Sequence, residues 1–251
     1  PYSNSAFDIV CKNDKVYMII GGKDLLNGKR FDKGGYILTY DYDKWSFIDP
    51  KEAQKKLNLP RNPRDYTSIA VTTDDSNDEI VYASSMGDGV IQYKNGTPVQ
   101  SYNEKNAFKE TAGGYGSGYC YIDGLAFDKN GNLWMTSSEV NHAVLVLDKA
   151  GAWHRLDIEQ LRGVYTINDI LITSTNDKWI YVPRNTPKLV MIPNSESLDE
   201  VSSYEFTTLI DTDGKELTPS NYTCVAEDKD GYIWVGTNRG AVYFTKPRIS
   251  S

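Results

Sequence analysis

Two histidines, three cysteines and a set of aspartate-containing turns are the residues of this 251-residue chain whose types could do chemistry. A histidine acting as general base needs a positioned acid on one side and a nucleophile on the other. His142 and His154 fall in different strand contexts, and nothing in the sequence nominates a Ser-His-Asp set around either. His154, next to Trp153, is expected at the surface. Cys11, Cys120 and Cys224 lie more than a hundred residues apart with no zinc-like or CxxC spacing. They read as small buried residues; their odd number leaves at least one free and fixes no redox compartment.

The turns Asp128-Lys-Asn-Gly131, Asp228-Lys-Asp-Gly231 and Asp211-Thr-Asp-Gly214 could offer alternating carboxylates to calcium. The bidentate acid that closes such a loop is absent, so they read as structural turns built on Asx hydrogen bonds and a positive-φ glycine. The glycines between Gly113 and Gly118 precede a strand, whereas a dinucleotide loop follows one and opens a helix. Asn95 and Asn221 begin glycosylation-like triplets, read as chance matches. No catalytic set, metal or cofactor is expected, and the chain reads as no enzyme.

The elements that position these residues follow from composition and repetition. The net charge of −7 argues against nucleic acid, whose phosphates need clustered Lys and Arg. A neutral or weakly cationic partner fits better. No apolar stretch is long enough to insert in a membrane, and the chain reads as soluble. It begins at Pro1 without a charged and then apolar leader, so a signal peptide is read as removed or never included. Eighteen tyrosines and five tryptophans favour strands.

DGLAFDKNGNLWMTS from Asp123 and TCVAEDKDGYIWVGT from Thr223 share one frame: an apolar strand, an aspartate–glycine turn and a strand with tryptophan at the same place. Weaker copies start near Ala6, Tyr66 and Ile167. Anchored on Ile9, Ile69, Leu125, Ile170 and Val225, the copies recur about every 50 residues, as propeller blades do. Third strands follow in GYILTY, GVIQY, AVLVLD, LVMIP and GAVYF, and fourth strands in WSFID, PVQSYN, WHRLDI and YEFTTL. Positive-φ turns are expected at Asn95-Gly96 and Ala150-Gly151.

The expected fold is therefore all-β, a β-propeller of about five four-stranded blades with the last one incomplete. The blades span 6–49, 66–103, 122–158, 167–210 and 222–245 of one domain, 1–251. A short helical insertion over 50–59 is capped by Asp49. Because TKPRISS after Phe244 supplies no clear outer strand, the ring is read as part of a longer chain rather than imperfectly closed. Trp134 and Trp234 are expected to pack between blades.

In such a blade the second-to-third-strand loops and the blade-to-blade connections share one face. Here that face holds the long loops, and loops on a rigid scaffold carry function. It offers Lys23, Arg30, Arg64, Tyr115, Tyr119, His142, Arg184 and Arg239, whose forks and rings suit a sugar, a carboxylated glycan or a peptide carboxylate. Asp8, Thr67, Asp123, Asn168, Asp169 and Thr223 start the inner strands and are expected to ring the channel mouth.

The frame from Asp228 to Phe244 resembles the two-component regulator propeller repeat of Bacteroidetes proteins. Asp128 to Leu147 matches its first half but has Glu139-Val-Asn-His142 in place of a Gly-containing turn. The order of insertions is also similar to the propeller part of PorZ-like type IX secretion accessory proteins. The resemblance implies an extracytoplasmic propeller, periplasmic or at the cell surface. It would be either a sensor region that detects glycans or a surface part of a secretion apparatus. Sensor regions of that kind carry further propellers and a membrane helix, neither of which is read here, so no signal output is assigned.

Three readings follow. The first is a non-enzymatic module binding a glycan or glycoconjugate on the long-loop face. The second is an interaction scaffold, joining other domains of a parent chain or a surface complex, which an exposed apolar patch would favour. The third is a propeller enzyme, which facing carboxylates with a shifted pKa inside the channel would revive.

Overall fold

A computed structural model describes residues 6–24, 27–108, 112 and 118–244. Its strands run as antiparallel meanders in sequence order. The first comprises β1 (Ala6–Lys12), β2 (Lys15–Ile20), β3 (Ile37–Asp41) and β4 (Lys44–Ile48). Helix α1 (Pro50–Leu57) follows, with the Asp49 carboxylate accepting from the Lys51 amide and Asn58 ending the helix in a left-handed conformation. The second meander is β5 (Tyr66–Thr73), β6 (Glu79–Gly87), β7 (Gly89–Lys94) and β8 (Thr97–Tyr102). The third is β9 (Cys120–Phe127), β10 (Leu133–Ser137), β11 (Val144–Leu147) and β12 (Trp153–Leu156), joined to the second where Met86 and Gly87 of β6 pair with Tyr121 and Cys120. The fourth is β13 (Ile170–Ile172), β14 (Lys178–Val182), β15 (Lys188–Ile192) and β16 (Tyr204–Phe206). A hairpin of β17 (Leu209–Ile210) and β18 (Glu216–Leu217) precedes β19 (Tyr222–Glu227), β20 (Ile233–Thr237) and β21 (Gly240–Phe244).

Four apolar clusters lie between successive meanders, so the core is a series of sheet-to-sheet layers rather than one centre. Inner strands β1, β5, β9, β13 and β19 touch in succession and curl the sheets around an axis, the arrangement of a β-propeller. Their inner edges would expose unpaired amides, and side chains of adjoining meanders meet that need. Asp8 Oδ2 accepts from the Ile69 amide at 3.1 Å, and Ser68 Oγ from the Leu125 amide at 3.1 Å. Thr136 Oγ1 donates to the Asn168 carbonyl at 2.9 Å, and the Tyr181 hydroxyl to the Thr223 carbonyl at 3.1 Å.

Several expectations need correcting. The fourth strand expected at YEFTTL from Tyr204 ends at Phe206, and Leu209, with Ile210, pairs instead in the β17–β18 hairpin. Its turn has Asp211 Oδ1 accepting two amides and Gly214 at φ 78°. Only Cys120 is buried, whereas Cys11 and Cys224 are exposed on the outer flanks of the first and last meanders. His154 is not a free surface group, since its Nε2 lies 3.0 Å from Asp148 Oδ2 in a partly buried setting. Trp134 is 1% exposed but Trp234 is 41% exposed, because no described element covers the outer face of the last meander.

Candidate functional site

The aspartate turns spend their oxygens on the chain itself. Asp128 Oδ1 accepts from the amides of Asn130 and Asn132, while Oδ2 accepts from Asn132 Nδ2 and Trp134 Nε1, all at 2.9 Å. Asp228 repeats this with the amides of Asp230 and Tyr232 and with Trp234 Nε1. Asp74 does the same for Ser76 and Asp78. A carboxylate so engaged closes a turn and has little left for a cation.

The long-loop face is cross-braced by ion pairs. Arg30 is held by Asp32 at 2.8 Å and by the Tyr119 hydroxyl, and Arg64 Nη1 stands 4.0 Å from the same Asp32. Buried Asp65 accepts from the amides of Asp32 and Lys33, which fixes the loop after β2. Burial pushes the Asp65 carboxyl up, partly offset by those amide bonds. Asp88, between the positive-φ residues Gly87 and Gly89, accepts from Arg61 Nε at 2.8 Å and the Arg64 amide at 3.1 Å.

The structure thus brings Arg30, Arg64 and Tyr119 together, with the Lys23 backbone bridged to Arg30 and the Arg184 guanidinium beside Gly28 of the same loop. Lys23 does not face a ligand: it is buried and ion-paired with Asp123. The loop that carries it is drawn inward because an isolated buried Asp123 charge would be costly. Arg184 reaches Thr166 Oγ1 at 3.4 Å. His142 is partly buried in a small crevice with Phe108, Cys120 and Arg155. Arg239 borders a separate cleft of about 550 Å³ beneath the β17–β18 hairpin. Tyr115 lies outside the described residues.

The cleft that sequence reasoning missed has a volume of about 360 Å³ on this same face. Arg61, Asp88, Ser101, Asn103, Glu104 and Lys105 supply its polar lining, beside Leu59, Pro60 and Pro63. Its residues come from three separate connections, so no motif marks it; the Pro60-Arg-Asn-Pro63 run and the Gly87-Asp-Gly89 turn were its faint signals.

At the axis, Thr67 Oγ1 donates to the Ile122 carbonyl at 2.5 Å and Asn168 Nδ2 to the Tyr181 hydroxyl at 2.9 Å. Thr223 contributes its carbonyl, and its side chain is exposed. Asp8, Asp123 and Asp169 sit close enough to influence one another's charge. Enclosure by protein, the Asp8 charge and to a lesser degree Asp123 push Asp169 up to about 7, although it keeps surface open to the axial space. Burial also raises Asp8 and Asp123, the latter against the pull of Lys23. Facing carboxylates with a shifted pKa are therefore present. Asp8 is accounted for as the tether to Ser68 and Ile69, and Asp169 accepts from the Ile170 amide at 2.8 Å. Burial pushes the Cys120 thiol up to about 12, far from the range of a nucleophile.

The meanders and their unequal faces define a propeller. Residues 216–239 match the model of the two component regulator propeller family, overlapping the copy whose motif carries the resemblance. No curated protein sequence matches the chain. Among solved structures it is similar to PorZ, an essential surface component of the type-IX secretion system of Porphyromonas gingivalis. That match has 19% identity and a TM-score of 0.83, covering 100% of this chain and 34% of that one. The extracellular domain assigned to a hybrid two component system of B. thetaiotaomicron matches at 15% identity and TM-score 0.50, over 97% of this chain and 39% of that one. A protein described as a 6-phosphogluconolactonase from Bacteroides uniformis matches at 12% identity and TM-score 0.58, over 97% and 68%. The chain spans about a third of the PorZ chain. At these identities the likeness is one of fold. Among the described residues no helix is long and apolar enough to cross a membrane.

Proposed function

We propose that the chain is a non-enzymatic, extracytoplasmic ligand-binding module of the sensor type, taking a glycan or glycoconjugate in the cleft beside Arg61 and Asp88. The observation that carries this reading is the cleft itself. Its volume falls in the range of small-ligand sites, and it lies on the face where rigid loops concentrate. Sugar hydroxyls both donate and accept. Arg61 and Lys105 offer donors, Asp88 and Glu104 acceptors, and Ser101 and Asn103 both. The Arg61–Asp88 ion pair and the Arg64 amide bond to Asp88 hold two walls of the cleft in place before a ligand arrives, which lowers the ordering cost of binding. The extracellular location named for the similar B. thetaiotaomicron domain supports a periplasmic or surface setting.

A glycan array followed by calorimetry on the best hit tests this reading. Wild type and the Arg184→Ala, Arg239→Ala double variant should bind alike, and Arg61→Ala with Lys105→Ala should lose roughly tenfold or more, as for loss of a charged hydrogen bond. Binding indifferent to Arg61 and Lys105 would remove the cleft from consideration. Absence of any glycan binding would shift weight to an interaction scaffold. That second reading is favoured by the apolar flanks of the fold, where Trp45, Phe47, Trp234 and Tyr243 are exposed.

A further inference from the structure

Given the glycan reading above, on which this rests, we infer that the cleft beside Arg61 and Asp88 selects a zwitterionic glycoconjugate. Its sugar carries a protonated amine and an acid, with Glu104 binding the ammonium and Lys105 the acid.

Four charged side chains line the cleft, and they divide into two kinds. Arg61 and Asp88 spend their charge on each other. Asp88 Oδ1 accepts from Arg61 Nε at 2.8 Å and Nη2 at 2.7 Å, while Oδ2 accepts from the Arg64 amide at 3.1 Å and Ser85 Oγ at 3.4 Å. Four donors occupy most of what a carboxylate can accept. This pair therefore belongs to the wall and leaves it no net charge.

Glu104 and Lys105 are the other kind. Among the described residues neither side chain meets an opposite charge or a hydrogen-bond partner. They do not meet each other, since neighbours in a turn point apart. The turn that carries them is nevertheless fixed. Asn103 Oδ1 accepts the Lys105 amide at 2.9 Å, the Asn103 carbonyl accepts the Ala107 amide at 2.9 Å, and Asn106 Nδ2 donates to the Ser101 carbonyl at 2.7 Å. Glu104 is partly buried, and its carboxylate rests against Gly118. A Cβ there would lie 3.1 Å from both Glu104 oxygens, and the φ of 89° already favours glycine. The cleft thus holds one carboxylate and one ammonium in place with their charges unanswered.

A ligand entering the cleft strips water from both groups. A neutral sugar answers neither charge. An acidic sugar answers Lys105 but sets its own charge near Glu104, and an amino sugar alone does the opposite. A zwitterion pairs both with charge-assisted hydrogen bonds and meets no like charge left unpaired, which is how a site discriminates among otherwise similar ligands.

Calorimetry with three forms of one disaccharide, glucuronate linked to glucosamine, tests the assignment. The forms are the parent with its free amine, the N-acetylated derivative, and the derivative whose carboxylate is reduced to an alcohol. Wild type should bind the parent roughly tenfold or more tighter than either derivative, the size of one charge-assisted hydrogen bond. Glu104→Gln should abolish the preference for the amine over its acetyl form and keep that for the acid over the alcohol. Lys105→Gln should do the reverse. Both variants should melt with wild type, because neither side chain has a partner to lose. Equal binding of the three forms by wild type, or a preference that survives its own variant, overturns the assignment while leaving the cleft as a glycan site. Binding of none of the three overturns it as well, and the glycan array then decides the broader reading separately.

Discussion

Lys23 and Asp123, a hundred residues apart in sequence, are ion-paired with 2% and 0% of their side chains exposed. Ser138 Oγ donates to the second Asp123 oxygen at 2.6 Å, and Lys23 Nζ lies 5.1 Å from the centre of the Tyr121 ring. The pair ties the loop after β2 to the mouth of the axial space. Removing one partner strands a buried charge. Lys23→Met is expected to cost about 3–5 kcal/mol in urea denaturation. Lys23→Met with Asp123→Leu should recover much of that loss, because the double change removes the stranded carboxylate. Equal destabilisation by the single and double changes would show that the pair does not act as a unit.

Asp128 and Asp228 close the same turn and hold the same indole nitrogen, but in different surroundings. Asp128→Ala would leave the Trp134 N–H and the Asn132 amide without their acceptor in a buried site, at an expected cost of about 2–4 kcal/mol. Asp228→Ala should cost clearly less, since water reaches the Trp234 ring. The bond from Trp234 holds the Asp228 carboxyl below the usual carboxylate range. Its contribution is therefore present above the unfolded-state pKa and lost as pH falls through the depressed one. Paired denaturation curves should show the Asp228→Asn deficit shrinking in acid.

The meander pattern was legible because the copies alternate apolar and polar residues around a short turn, closed by its own aspartate at Asp74, Asp128 and Asp228 and by Thr173 in the fourth, a purely local signal. What the copies meet is not local. Trp134 and Trp234 sit in nearly identical words of sequence, and only the presence of β13 to β15 beside one of them makes it core. Lys23, following Gly21-Gly22, reads as a loop cation until the chain brings Asp123 against it. The Arg61 cleft takes its walls from connections around residues 60, 88 and 104, each ordinary by itself. The β17–β18 hairpin was hidden because two-residue strands leave too little alternation to read.

Gly124 offers a test of how closely the meanders approach. A Cβ built there would lie 2.8 Å from the Ile170 amide nitrogen and from Asp169 Oδ1, and 2.9 Å from the Asp169 Cα. Two of those three atoms are backbone, so the inner strands β9 and β13 would have to separate. Gly124→Ala is expected to destabilise by about 1–3 kcal/mol, the usual cost of overpacking, with a lower Tm in calorimetry. Gly151→Ala is the control for glycine loss in general: no atom lies within 4 Å of its Cβ position, although its φ of 90° carries some backbone strain. A larger effect at Gly151 than at Gly124 would deny the close approach.

Asp169 links the axial acids to measurable pH dependence. Its carboxyl, pushed up to about 7, binds its proton more tightly in the folded chain than in the unfolded one. The sign follows: stability is fully present below the unfolded value near 3.8 and declines as pH rises towards 7, where the charge must form beside Asp8. Because Asp169 keeps contact with solvent, the effect should be discounted to on the order of 1 kcal/mol. Asp169→Asn should therefore stabilise the chain at pH 8 relative to wild type, with the gap closing in acid. The same variant bears on chemistry, since a carboxyl near neutrality is what an acid catalyst requires. A non-enzymatic module predicts that Asp169→Asn changes this stability profile and leaves glycan affinity at the Arg61 cleft untouched. Loss of a turnover measurable in wild type, with binding intact, would return the axial carboxylates to the role of an active site.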